Sequence, residues 1–204
     1  MSDKHQIQIE KKEGILFVLT APSGAGKTTV ANLLVKSCSD LERSVSYTTR
    51  PKRDSEQDGI DYHFVEDDIF SKMIEEEAFI EWAKVHNNYY GTSLSQVKSR
   101  LAMKKDLIAV IDIQGAASIR KLGLNSTSIF LMAPSLEVIK ERLAKRGDVS
   151  SDSTKVRLAN YKHEMSQALQ FDYIVINDKL DNSKASLIAI VEAERKRASN
   201  LDII

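Results

Sequence analysis

Two rhythms alternate along the chain. Nearly continuous apolar or β-rich runs at Ile15–Leu19, Leu107–Ile111 and Ser128–Met132 predict short strands buried within a sheet, and Tyr173–Ile176 reads as the last strand. Between them lie stretches with helical spacing. Val30, Leu33 and Leu34 form one apolar face over about residues 27–37; Leu94, Val97 and Leu101 form another, behind a capping box at Ser93-Leu94-Ser95-Gln96. Pro134-Ser135 opens a helix carrying Leu136, Ile139 and Leu143, and a closing helix over about 182–198 turns Leu187, Ile190 and Val191 inward. Its Arg195, Lys196 and Arg197 read as a solvated helix end. Strands alternating with helices predict an α/β fold, a parallel sheet flanked by helices. The middle of the chain breaks the rhythm. Ser44–Thr49 is β-rich, Arg50–Asp61 is a charged, turn-rich loop, and residues 62–65 and 79–86 read as short strands around a helix with Ile69, Phe70, Met73 and Ile74 on one face. The expectation is one domain over 14–204, with a core at 14–43 and 93–204, a small inserted lobe at about 44–92, and a polar tail at 1–13.

Composition narrows the setting. The 29 basic and 29 acidic side chains cancel, so no global field draws the chain to nucleic acid or to an anionic membrane. A single cysteine, Cys38, permits no intrachain disulfide and reads as a small buried residue. His5, His63, His86 and His163 lack ligand spacing. The polar tail has no apolar segment of the signal-peptide kind, and no apolar run is long enough for a membrane span, so the expected location is the cytoplasm.

The chemistry begins directly behind the first strand, where residues 20–29 read T-A-P-S-G-A-G-K-T-T. Gly24 and Gly26 let successive backbone N–H groups turn inward, and the following helix adds its positive end to the same concavity. This is a phosphate-binding loop, formed by Ala21, Pro22, Ser23, Gly24, Ala25, Gly26, Lys27, Thr28 and Thr29. Lys27 would reach the β and γ phosphates of a nucleoside triphosphate, and the Thr28 hydroxyl would ligate Mg2+. The strict pattern has glycine where this chain has Ala21. Two basic clusters add to the loop. Arg50-Pro51-Lys52-Arg53, followed by Glu56 and Tyr62, suits a second phosphate and so a second substrate. Arg142 and Arg146 at helical spacing, then a polar stretch begun by Gly147, then Arg157, have the composition of a mobile lid over about 143–158.

In order behind the loop stand S-Y-T-T-R-P-K-R, F-I-E-W-A, N-Y-Y-G-T, D-I-Q-G and E-R-L-A-K-R-G. With these motifs the chain resembles the guanylate kinases over roughly residues 14–197. The resemblance implies a P-loop NTPase core with an inserted GMP-binding lobe and a lid, and transfer of the γ-phosphate of ATP to GMP. It implies that Arg50, Arg53, Tyr62 and Tyr90 grip the GMP phosphate while Glu56 orders the arginines, and that Ser46, Glu81, Thr92 and Asp112 read guanine. By the same resemblance Lys27 and Thr28 serve ATP and Mg2+, with Asp112 reaching the metal through water. Arg142, Arg146 and Arg157 act on the transferring phosphate, and Asn177 lies near adenine. One departure concerns Val110, which stands where the family often has the first acid of an Asp-x-Asp pair.

Elementary chemistry agrees with the base assignment. Guanine presents two adjacent donors, and one ionised carboxylate such as Glu81 supplies two acceptors; adenine would leave both partners unpaired. Two other classes stay open at this point: a guanylate-kinase-like scaffold module that holds phosphopeptides without turnover, and a kinase for a sugar phosphate. Oligomeric state and the choice between GMP and dGMP are left open too.

Overall fold

The computed structural model describes residues 8–22, 24–54, 56–85, 87–145, 161 and 164–204. Its central sheet is built from β2 (Leu16–Thr20), β3 (Leu41–Arg43), β8 (Asp106–Val110), β9 (Ser126–Met132) and β10 (Tyr173–Ile176), all parallel, in the order β10-β9-β2-β8-β3. β2 is central, and each of its residues is buried. The phosphate-binding loop is therefore fixed to the buried centre of the sheet. Alternate residues of the sheet enter two cores. Phe17, Leu19, Ile108 and Ile129 pack under α1 (Lys27–Ser37) and α6 (Leu180–Arg195), whereas Leu16, Val18, Leu107 and Ala109 pack under α3 (Leu94–Ala102) and α4 (Ile113–Lys121). Helices thus cover both faces, as the apolar runs require. Cys38 is buried at the end of α1.

A second sheet lies within the middle of the chain. β4 (Tyr47–Thr48), β5 (His63–Phe64), β6 (Phe79–Val85) and β7 (Asn88–Ser93) are ordered β5-β4-β7-β6, and α2 (Asp67–Glu75) buries Phe70 against the sheet. Phe70 stacks on Phe79 and Tyr89 at 4.5 and 5.4 Å. A Cβ at Gly91 would come within 2.8–3.0 Å of the Phe79 and Phe70 rings, so this glycine lets the helix seat on the sheet. The remaining core helix, α5 (Leu136–Lys145), follows β9.

Several elements differ from the sequence reading. β3 and α4 were not anticipated, and the closing helix ends at Arg195. Residues Ile9–Lys11 (β1) and Leu201–Ile203 (β11) pair antiparallel, giving part of the tail a strand of its own. Arg195 is also not solvated. Its Nε donates to Asp106 Oδ2 at 2.7 Å, and Lys11 Nζ and the Ile15 N–H donate to Asp106 Oδ1 at 2.7 and 3.0 Å. The Asp106 side chain is 0% exposed and Arg195 14%. A buried carboxylate is tolerable only with such partners. Asp106→Ala leaves two largely covered cations, Lys11 and Arg195, facing a hole, and urea unfolding should show a loss of ~3 kcal/mol.

Candidate active site

The loop between β2 and α1 takes its shape from a few contacts. Gly24 and Gly26 have φ of 84° and 96°, a region that side chains avoid, and Gly26 is the N-cap of α1. Ala21 is not among the residues of positive φ, and its methyl is buried in the core, so alanine there costs the backbone nothing. Its carbonyl accepts a hydrogen bond from Lys27 Nζ at 2.7 Å, which closes the loop on itself. Burial lowers the Lys27 pKa, while the Glu164 and Asp112 carboxylates partly oppose this. A partly desolvated ammonium in a cleft is ready for an anion. Thr28 and Thr29 are exposed on the first turn of α1.

Asn177 follows β10 and is 5% exposed. Its Nδ2 donates to the Ala25 carbonyl at 2.7 Å and its Oδ1 accepts from Ser183 Oγ at 2.8 Å. Both polar ends of this side chain are therefore engaged with the protein. A Cβ on Gly26 would stand 2.8 Å from that Nδ2, a second reason for glycine. Arg142 bridges the same region, donating to the Asn177 carbonyl at 3.1 Å and to the Ala25 carbonyl at 3.4 Å.

On the lobe, Arg50 is held by Glu56 through a 2.7 Å ion pair, and the second Glu56 oxygen accepts the Arg53 backbone N–H at 2.9 Å. This pairing lowers the Glu56 pKa and raises that of Arg50. The Arg50 guanidinium lies over the Tyr62 and Phe64 rings at 5.6 and 5.7 Å, and Tyr62 meets Tyr90 edge-on at 6.0 Å. Thr48 accepts the Arg50 N–H at 3.2 Å while donating to the Tyr89 carbonyl, so the loop's first arginine is tied to the neighbouring strand. The Arg53 side chain is exposed.

Glu81 and Thr92 are cross-strand partners on β6 and β7, beside a bulge between Phe79 and Glu81. Thr92 Oγ1 donates to Glu81 Oε1 at 2.6 Å, and Ser46 Oγ lies 3.4 Å from the same hydroxyl. Burial pushes the Glu81 carboxyl up to about 7; the Thr92 hydrogen bond opposes this, and the Asp112 carboxylate adds to it. Asp112 caps α4, its Oδ1 accepting the Gly115 N–H at 2.8 Å. Any Cβ at Gly115 would come within 2.9–3.1 Å of the Glu81 carboxyl. That glycine makes the room in which Glu81 sits.

A cavity of about 170 Å³ gathers Lys27, Ser46, Tyr62, Glu81, Tyr90 and Asp112 between core and lobe, at the carboxyl ends of the parallel strands. The guanylate kinase family model matches residues 13–194. This chain belongs to the guanylate kinase family. Guanylate kinases of Neisseria gonorrhoeae and Syntrophotalea carbinolica are 41% and 40% identical to it, over 95% and 94% of this chain and 95% and 91% of theirs. The solved guanylate kinase of Anaplasma phagocytophilum is 28% identical, with a TM-score of 0.78, over 95% of this chain and 92% of that one.

Among the positions that match guanylate kinase motifs, the cavity unites the loop lysine with residues far away in sequence. Arg50 and Glu56 adjoin it through Tyr62. Arg142 and Asn177 brace the loop. Ser23, Arg146 and Arg157 lie outside the described residues, as does the expected lid beyond Lys145. Sequence reading gave no role to Gly115, whose one signal was its place in D-I-Q-G.

The raised Glu81 pKa carries a stability consequence. The folded state holds this proton more tightly than the unfolded chain, so the group's contribution is fully present below about pH 4.5 and is lost as pH rises to about 7. Glu81→Gln removes that loss while keeping an acceptor for Thr92. The variant should therefore be more stable than wild type by ~2–3 kcal/mol at pH 8 and nearly equal to it at pH 4.5, read from denaturant unfolding at both pH values.

Proposed function

We propose that the protein transfers the γ-phosphoryl group of ATP to GMP, giving ADP and GDP, and that it works on free nucleotides in the cytoplasm. The observation that carries this reading is the shared cavity: a buried carboxylate with a hydroxyl partner, suited to guanine, opens onto the same space as a phosphate-loop lysine. The balanced charge fits small-molecule substrates rather than a polyanion or an anionic surface, and among the described residues no helix is long and apolar enough to cross a membrane.

In this reading the guanine N1–H and amine donate to Glu81, and the base carbonyl takes a hydrogen bond from Thr92 or Ser46. Arg50, Arg53, Tyr62 and Tyr90 hold the GMP phosphate. An oxygen of that phosphate, dianionic near neutral pH, attacks the γ phosphorus of ATP while the bond to the β–γ bridging oxygen breaks, and ADP leaves with the electron pair. The nucleophile is already ionised, so the chain supplies no general base. It supplies position and positive charge. Lys27 meets the β and γ phosphates, Arg142 adds a guanidinium at the loop, and Arg146 and Arg157 are assigned the same task by motif. Asn177 serves ATP by fixing the loop. The residues fit a Mg2+ ion brought in with ATP: the exposed Thr28 hydroxyl would be one ligand, and Asp112, which spends only Oδ1 on its cap, would act through water. Bound there, the ion would supply positive charge to offset that of the phosphates. So sparse a protein ligand set suits a cation that keeps its waters and takes the rest of its ligands from substrate.

A panel of GMP, dGMP, AMP, UMP and ribose phosphates with ATP tests the reading. GMP should be used far better than AMP, UMP or the sugar phosphates; no transfer to any acceptor would favour a binding module, and preference for a sugar phosphate would sink the base assignment. Lys27→Ala should fold and lose GDP formation, because the charge meeting the transferring phosphate is gone. Near-wild-type turnover would refute the loop assignment. Glu81→Gln sets a donor against a guanine N–H and gives adenine a matching pair, so its AMP-to-GMP ratio of kcat/KM should rise, and Thr92→Val should shift it less. Unchanged selectivity in Glu81→Gln would mean that guanine is read elsewhere.

A further inference from the structure

Arg43 ends β3, the edge strand of the central sheet, and lines the same cavity as Lys27, Tyr62 and Tyr90. It is half-buried, and its guanidinium makes no hydrogen bond or ion pair among the described residues. No motif assigns it a role. The sheet fixes which way it leans. Arg43 lies opposite Ile108 in register, so it shares a face with Ile108 and Val110, the face that packs under α1. Lys27 begins α1 on that side. The adjacent face of the sheet, carrying Ala109, packs under α3 and α4, beside which Glu81 is seated. Arg43 thus stands at the edge of the sheet on the face of α1, where it lines the cavity with Lys27 and also borders a second cavity beside α3.

Val110 explains why it is free. An acid at 110, on the neighbouring strand and the same face, would be the natural counter-ion for this guanidinium; valine offers none. An unpaired, partly desolvated arginine in a cleft is costly unless an anion arrives to meet it. We infer that Arg43 is a further binding residue for the acceptor nucleotide, donating to its 5′-phosphate within the cavity that it lines with Lys27, Tyr62 and Tyr90. This rests on the reading of the cavity as a GMP site.

The test uses the full chain. GMP and guanosine are titrated by calorimetry, without ATP, into wild type, Arg43→Met and Arg43→Lys, and steady-state KM and kcat are measured for GMP and ATP. Methionine keeps the apolar stem and removes the charge-assisted bonds. GMP binding should weaken about 10- to 100-fold in Arg43→Met, while guanosine binding, the KM for ATP and the melting temperature stay near wild type. Arg43→Lys should recover part of the loss, as a point charge without the fork. Equal GMP affinity in wild type and Arg43→Met would overturn the inference alone. So would equal weakening toward guanosine, which moves the contact to the nucleoside, or a fall in melting temperature matched by a loss of ATP binding, which would make the residue structural. A wild type that binds no GMP overturns the site reading, and this inference with it.

Discussion

The carbonyl oxygen of Ala25 is the point on which the site's geometry depends. Asn177 donates to it from the end of β10, Arg142 reaches it from α5, and Ser183 on α6 holds the other end of the Asn177 amide. The loop is therefore clamped from elements well separated in sequence, and Lys27 closes it from within through the Ala21 carbonyl. A phosphate-binding concavity works only if its N–H groups already point inward when the anion arrives. Here the shape is held by the Asn177 amide, the Arg142 guanidinium and the Lys27 ammonium, all bonded to loop carbonyls. The lobe follows the same logic. Glu56 spends both oxygens on ordering Arg50 and the Arg53 backbone before any phosphate is bound.

Much of this was legible in the sequence because local pattern and local chemistry coincide there. The four apolar or β-rich runs became the strands β2, β8, β9 and β10, of which β10 is an edge strand with Ile174 and Ile176 exposed, and half of the expected capping box is present: Ser93 Oγ accepts the Gln96 N–H, while the Gln96 side chain turns to Tyr47 and His63. What escaped depends on partners distant in sequence. β3 is only Leu41–Arg43 and has no pattern of its own; it is a strand because β8 offers an edge. α4 alternates small and polar residues, and its start is set by Asp112, a residue read for its chemistry rather than as a cap. Arg195 looked solvated because Asp106, its counter-ion, lies on another strand far upstream. Asn177 could be placed by motif, but that its amide is taken up by the loop could not.

The opposing displacements at Lys27 and Glu81 have one origin. Both groups are partly buried at the mouth of the sheet, where the charged form of each is disfavoured, and each waits for a partner of the right kind. The protein keeps the two apart by putting them on different walls of the cavity. Asp112 stands between those roles: its field opposes the loss of charge at Lys27 and adds to it at Glu81.

Gly115 makes room for a carboxyl whose pKa burial pushes up to about 7. On the proposed reading, a purine that donates from both N1 and its amine requires the ionised form, so its capture and the departure of a proton are one event. The affinity of the enzyme for its acceptor is then tied to the acidity of the medium around it, falling as the carboxyl takes up its proton.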